Sequence, residues 1–214
     1  MIGKIAATLL EQRRSRGLFI TALMSLSQCA AMLRAAFYKL LYWRALRCSI
    51  FSMQGRSTIE VFSKRAAITI GKFVFIRKNA SIRIDHDGQL SIGDKTFIND
   101  NCSINCVGTI AIGSYTKIAP NVSINDHDHN YKGGSDSHLI IGKIVIGDHV
   151  WIGSNCVILR DTVIGDGAVI AAGSVVKGEV PAHTLFMNRR ENAYIRFKEA
   201  AAEPGSIARA EGAS

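Results

Sequence analysis

The stretch Ser123–Asp136, SINDHDHNYKGGSD, gathers two histidines and three aspartates in a chain otherwise dominated by regularly spaced isoleucines. Histidine takes up and returns a proton near neutral pH, and it is a common metal ligand. His127 and His129 are therefore candidates for general acid–base work or for metal chelation, with Asp126 or Asp128 able to orient an imidazole. The same wealth of Gly, Asn and Asp also describes an ordinary surface turn. What carries the stretch must decide between these readings.

Aliphatic residues recur every six positions: Ile70, Ile76, Ile82; Ile92, Ile98, Ile104; Ile112, Ile118, Ile124; Ile146, Ile152, Ile158; Ile164, Ile170, Val176. This period fits neither a free helix nor a hairpin meander, but it fits a solenoid in which each hexad is one short strand and one corner. Small residues such as Ala80, Thr96, Cys102, Val122, Cys156 and Ser174 stand four positions after the aliphatic one, and Gly often follows it directly, which suits relief at a bend. The beat breaks only after every third hexad, so the coil is triangular and all insertions leave at one corner. Five coils at about 4.8 Å per layer give a prism about 24 Å tall. The histidine-rich stretch is then the one long loop on a rigid scaffold, a common place for function.

Length, at 214 residues, and 48% apolar content suit one domain with an appendage. Cys29, Cys48, Cys102, Cys106 and Cys156, odd in number and scattered, read as reduced thiols of a cytoplasmic protein, with Cys102 and Cys156 as packing groups. The net charge of +9 is concentrated at the start: residues 1–56 hold nine Lys/Arg against Glu11, a net +8, leaving +1 for the rest. No nucleic-acid motif accompanies this basic segment. Leu18–Leu33 carries no charge, and no Gly or Pro interrupts Leu18–Arg47, so one or two helices are expected. They pack on the domain, contact a sister subunit, or lie on the inner face of the cytoplasmic membrane through residues 1–50. The expected divisions are 1–56 (basic helical segment), 57–181 (hexad domain) and 182–214 (extension and tail).

The spacing over Ile70–Pro181 resembles the left-handed parallel β-helix of the hexapeptide-repeat acyltransferases. The left hand comes from the resemblance alone, because the general crossover rule favours the right. IGDHVWIGSNCVILRDTVIGDGAVIAAGSVV is similar to the signature of the galactoside, maltose and polysaccharide O-acetyltransferases, and IAPNVSINDHDH resembles the strand and loop carrying their catalytic histidine. The resemblance implies a mainly β fold with an N-terminal helical segment and a short C-terminal helix. It further implies a homotrimer with acetyl-CoA between neighbouring prisms, and acetyl transfer to a sugar hydroxyl of a surface polysaccharide or its precursor.

By the same resemblance, His127 is the base and Asn99 lies by the acceptor and reacting centre, with Asp126 and His129 near the acceptor. Trp151, Ser154 and Ala172 line the acetyl-CoA channel, and Lys177 and Arg196 meet its phosphates. SVVKGEVP and MNRRENAYIR depart from the family pattern there, with Arg189 and Arg190 as substitute cations. No metal is expected. A rival of the same fold, the γ-class carbonic anhydrase, would bind zinc through His127 and His129 with His86, His138 or His149. A non-catalytic scaffold is the third reading.

Overall fold

In the computed structural model, residues 2–131 and 138–189 are described. Two helices, α1 (Ile2–Arg16) and α2 (Leu18–Leu41), precede a solenoid with three flat faces. The first face stacks β1 (Leu46–Cys48), β4 (Ala67–Ile70), β7 (Gln89–Ile92), β10 (Thr109–Ile112), β15 (Lys143–Ile146) and the ends of β17 (Val157–Ile164) and β19 (Val175–Val180). The second stacks β2 (Phe51–Met53), β5 (Val74–Ile76), β8 (Phe97–Ile98), β11 (Lys117–Ile118), β16 (Trp151–Ile152), β18 (Val169–Ile170) and β20 (Leu185–Phe186). The third stacks β3 (Thr58–Val61), β6 (Ser81–Ile84), β9 (Ser103–Cys106), β12 (Ser123–Asn125) and the starts of β17 and β19. A small antiparallel pair, β13 (His127–His129) and β14 (Leu139–Ile141), stands off the prism. The whole is a left-handed parallel β-helix.

The hexad beat is the register of this prism. Ile70, Ile92, Ile112, Ile146 and Ile164 are successive partners on the first face. Ile76, Ile98, Ile118, Ile152 and Ile170 form the second column, and Ile82, Ile104, Ile124, Ile158 and Val176 the third. All fifteen side chains are at most 3% exposed, so the three columns fill the tube along its length. Their branched shape suits the pleated surface, and each burial stabilises the fold by about 1.5–3 kcal/mol. The buried hydroxyls of Thr96 and Thr116 donate to the carbonyls of Gly113 and Gly147 at 2.8 Å, which removes the cost of polar atoms in the tube.

The prism has about six turns rather than five, and it begins at Leu46, before the expected boundary at 57. Cys48 and Met53 occupy the positions that Ile70 and Ile76 take one coil later, and they lie five residues apart instead of six. On its first two faces this coil therefore lacks the residue type and the interval that mark the others, and Ile59, six residues after Met53, keeps the beat on the third. α2 lies across its open end, with Ala35, Tyr38 and Tyr42 joining the core beside Leu46 and Phe51. At 182–189 the chain adds strand β20, and the expected C-terminal helix beyond it lies outside the described residues.

The corner glycines work differently from the expectation of bend relief. Gly71, Gly93, Gly113, Gly147, Gly153 and Gly165 are absent from the positive-φ residues; the left-handed positions fall two later, on Phe73, Lys95, Tyr115, His149, Asn155 and Gly167. What Gly113 supplies is room: a Cβ there would stand 2.4 Å from the backbone of Gly147 in the next coil. Gly113→Ala is therefore expected to cost about 3 kcal/mol in urea unfolding, whereas Gly55→Ala, with nothing within 4 Å, stays near neutral. At the corner between the second and third faces, Asn79, Asn101, Asn121 and Asn155 all take left-handed backbone, which asparagine tolerates. Each amide group donates to the next at 3.0–3.1 Å, a column that ties four coils together.

Candidate active site

At the corner between the third and first faces the chain leaves β12 and enters β13. His127 pairs with Ile141, Asp128 with Ile140 and His129 with Leu139, so strand alternation puts both histidines on one side and Asp128 on the other. His127, His129 and Leu139 line a groove of about 250 Å³ with Arg83, His86 and Asn105. Asp128 turns away and accepts from Arg160 Nε at 2.7 Å, which anchors the hairpin to the next coil.

Asp126 is the fixed point. Its carboxylate is fully buried and accepts the backbone N–H of Val107 at 2.9 Å and of Gly108 at 2.8 Å. His127 Nδ1 lies 3.0 Å from Asp126 Oδ1. An ionised carboxylate only accepts, so this contact places a proton on Nδ1, and in the neutral ring Nε2 then keeps its lone pair. The imidazole is only 20% exposed, with its position and tautomer set from behind. Asp126 is 0% exposed, so in this chain it offers no surface to an acceptor, and its carboxylate meets His127 instead. Cys106 is also in the groove, where burial and then the Asp126 charge push its thiol far above the usual thiol range and disfavour the thiolate. Burial likewise raises Cys102 and Cys156.

The remaining expected residues fall on two edges. Asn99 follows β8 at the edge between the second and third faces, where its Oδ1 accepts the N–H of Asp100 at 2.9 Å. Ser154 and Ala172 lie higher on that edge, where the Ser154 carbonyl accepts from Gly173 N at 2.8 Å. Trp151, 56% exposed, stands on the second face above Lys117, in a groove of about 600 Å³ with Lys95, Tyr115 and His149. Lys177 is exposed on the same edge as His127, two coils higher. The width of the third face thus separates His127 from Asn99, and one chain does not bring them together. Arg196 and Arg190 lie outside the described residues.

Arg83 and Asn105 escaped the sequence reading. They follow Ile82 and Ile104 and share a register column with Asn125, so the residue after each third-face isoleucine was the available signal. As for the zinc rival, His149 stacks on Tyr115 at 4.8 Å on a different edge from His127. Among the described residues no three His, Cys, Asp or Glu side chains are grouped to hold a metal.

Residues 143–178 match the family model described as bacterial transferase hexapeptide (six repeats). Over that segment the chain is similar to the hexapeptide-repeat transferases. The chain is 31% identical to the galactoside O-acetyltransferase of Escherichia coli over 128 residues, 57% of this chain and 63% of that one. It is 34% identical over 117 residues, 49% of this chain and 60% of the relative, to WbbJ of the same species, named for lipopolysaccharide-biosynthesis O-acetyl transfer. The chain spans less than two thirds of the length of these curated relatives. Among solved structures, the N-acyltransferase AntD of Bacillus cereus, in complex with dTDP and 3-hydroxybutyryl-CoA, superposes with a TM-score of 0.58 at 18% identity. That match covers 69% of this chain and 81% of AntD, and at this identity it speaks for the fold.

Proposed function

We propose that this chain is an acetyl-CoA-dependent O-acetyltransferase that modifies a sugar hydroxyl, with His127 as general base. The observation that carries the reading is the buried Asp126 carboxylate, held by two backbone N–H groups and set on Nδ1 of His127. This arrangement presents Nε2 to a hydroxyl proton. As Nε2 takes the proton, the sugar oxygen adds to the thioester carbonyl. The tetrahedral oxyanion collapses, the C–S bond breaks, and the imidazolium returns the proton to the departing CoA thiolate. The products are the sugar acetate and free CoA, and the base is regenerated.

The second half of the site comes from a neighbouring copy in this reading. His127 and Lys177 occupy one edge of the prism, and Asn99, Ser154 and Ala172 another, with Trp151 on the face beside it. A three-fold assembly sets the first edge of each copy against the second edge of the next. Acetyl-CoA then runs between them, with Lys177 and Arg196 toward its phosphates. The name of WbbJ, for lipopolysaccharide biosynthesis, favours a surface glycan or its precursor as acceptor. Thiol release from acetyl-CoA across a panel of sugar acceptors tests the proposal, with sugar-dependent release as the expected result. Mixed assemblies of His127→Ala and Asn99→Ala chains should recover activity that neither has alone. Release that no glycan accelerates would sink the assignment.

A further inference from the structure

α2 has two opposite working sides. One, with Thr21, Ala31 and Ala35, is buried against the rest of the chain, and it packs on β1 and β2 of the first coil and on α1. Opposite, Phe19, Leu23, Leu26, Leu33, Phe37 and Leu40, with Ala30 completing the series, recur at alternating intervals of four and three. That spacing draws one continuous stripe along the helix. Phe19 is 75% exposed, Leu26 66%, Leu33 72% and Leu40 77%, on a helix about 36 Å long. Exposed apolar surface of this extent marks an interaction site.

We propose that α2 seats the protein on an anionic phospholipid bilayer, lying in the interfacial plane with this stripe among the acyl chains. Charge supports that occupant. Arg13, Arg14 and Arg16 close α1 at one end of the stripe, and Arg44 and Arg47 stand at the other. Trp43 is 71% exposed, and the Arg44 guanidinium sits 5.3 Å from its ring centre, a pairing suited to headgroup depth. A second copy suits the stripe poorly. α2 contains no acid, so the flanking positions offer no carboxylate to a neighbour's cations, and pairing would crowd the arginine ends together. A bilayer crossing suits it no better. α2 is long and apolar enough to span, but its C-terminal half is fastened to the prism through Ala31, Ala35 and Tyr38. The proposal is independent of the acyl-transfer chemistry.

Flotation of the full chain with vesicles of phosphatidylcholine, alone or with added phosphatidylglycerol, tests the seat. Binding to the anionic vesicles is expected, weakening as salt rises. The triple variant Leu26→Gln, Leu33→Gln, Phe37→Gln should bind roughly a hundredfold or more weakly, with unchanged thermal unfolding. Cys29, exposed beside the stripe, gives a readout on the unaltered protein: anionic vesicles should slow its alkylation by iodoacetamide. A triple variant that binds as tightly as the parent, or alkylation indifferent to vesicles, overturns the proposal. So does a parent that ignores vesicles but forms a larger assembly that the triple variant dissolves, which would assign the stripe to a second copy. None of these readouts requires turnover, so failure of the proposed chemistry is seen separately.

Discussion

The His127→Ala variant is expected to release thiol from acetyl-CoA roughly 10²–10⁴-fold more slowly than the parent at saturating acceptor. Among the described groove residues, His127 has its Nδ1 held at 3.0 Å by a buried carboxylate, whereas His86 Nδ1 stands 3.7 Å from the half-exposed Asp85. Arg83 and the half-buried Asn105 lack that arrangement, and Cys106 is held as a neutral thiol. The loss should appear in kcat, with acetyl-CoA affinity little changed, because the channel assigned to the donor lies along Trp151, Ser154 and Ala172. Stability should also hold, since the ring's hydrogen-bonded contact is Asp126, which keeps its two backbone donors without it. Equilibrium binding of acetyl-CoA and steady-state thiol release separate these terms. A variant with parental kcat removes His127 from the mechanism.

Asp126→Ala should do more damage to the fold than to any single contact. The substitution leaves the N–H groups of Val107 and Gly108 facing an empty buried site, at about 1–3 kcal/mol each. A loss of about 3–5 kcal/mol in urea unfolding is therefore expected. Asp126→Asn keeps the shape and part of the hydrogen bonding, so it isolates the positioning role. It should lower kcat while leaving acetyl-CoA affinity near parental, a split that a purely structural residue would not produce. The effect should vanish in a His127→Ala background, where nothing remains to be oriented. Additive losses in that double variant would show that Asp126 acts on turnover by another route.

The prism was legible because one residue type repeats at one interval: each isoleucine named from the hexad beat is paired with the isoleucine or valine one coil away. The first coil was not, since Cys48 and Met53 fill the same places with neither the branching nor the interval. In the site, His127 could be found by type and by its place after β12. The choice between Asp126 and Asp128 could not, because the two flank it symmetrically in sequence. It is settled by donors from another coil, Val107 and Gly108 for one and Arg160 for the other. The corner glycines teach the same lesson. Their spacing announces bends, but their purpose lies in the backbone stacked above them.

Stacking also makes the molecule a gauge. His127 follows β12, on the fourth layer of the third face, while α2 underlies the first. Three layers at about 4.8 Å hold the imidazole about 14 Å above the base. If α2 rests on a bilayer as proposed, the imidazole stands at a fixed height above it, and a lipid-attached glycan would reach Nε2 only with hydroxyls at a matching distance from its anchor. Inserting one further coil between α2 and the groove, of about the 22 residues that separate Ile70 from Ile92, would raise the imidazole by a single layer.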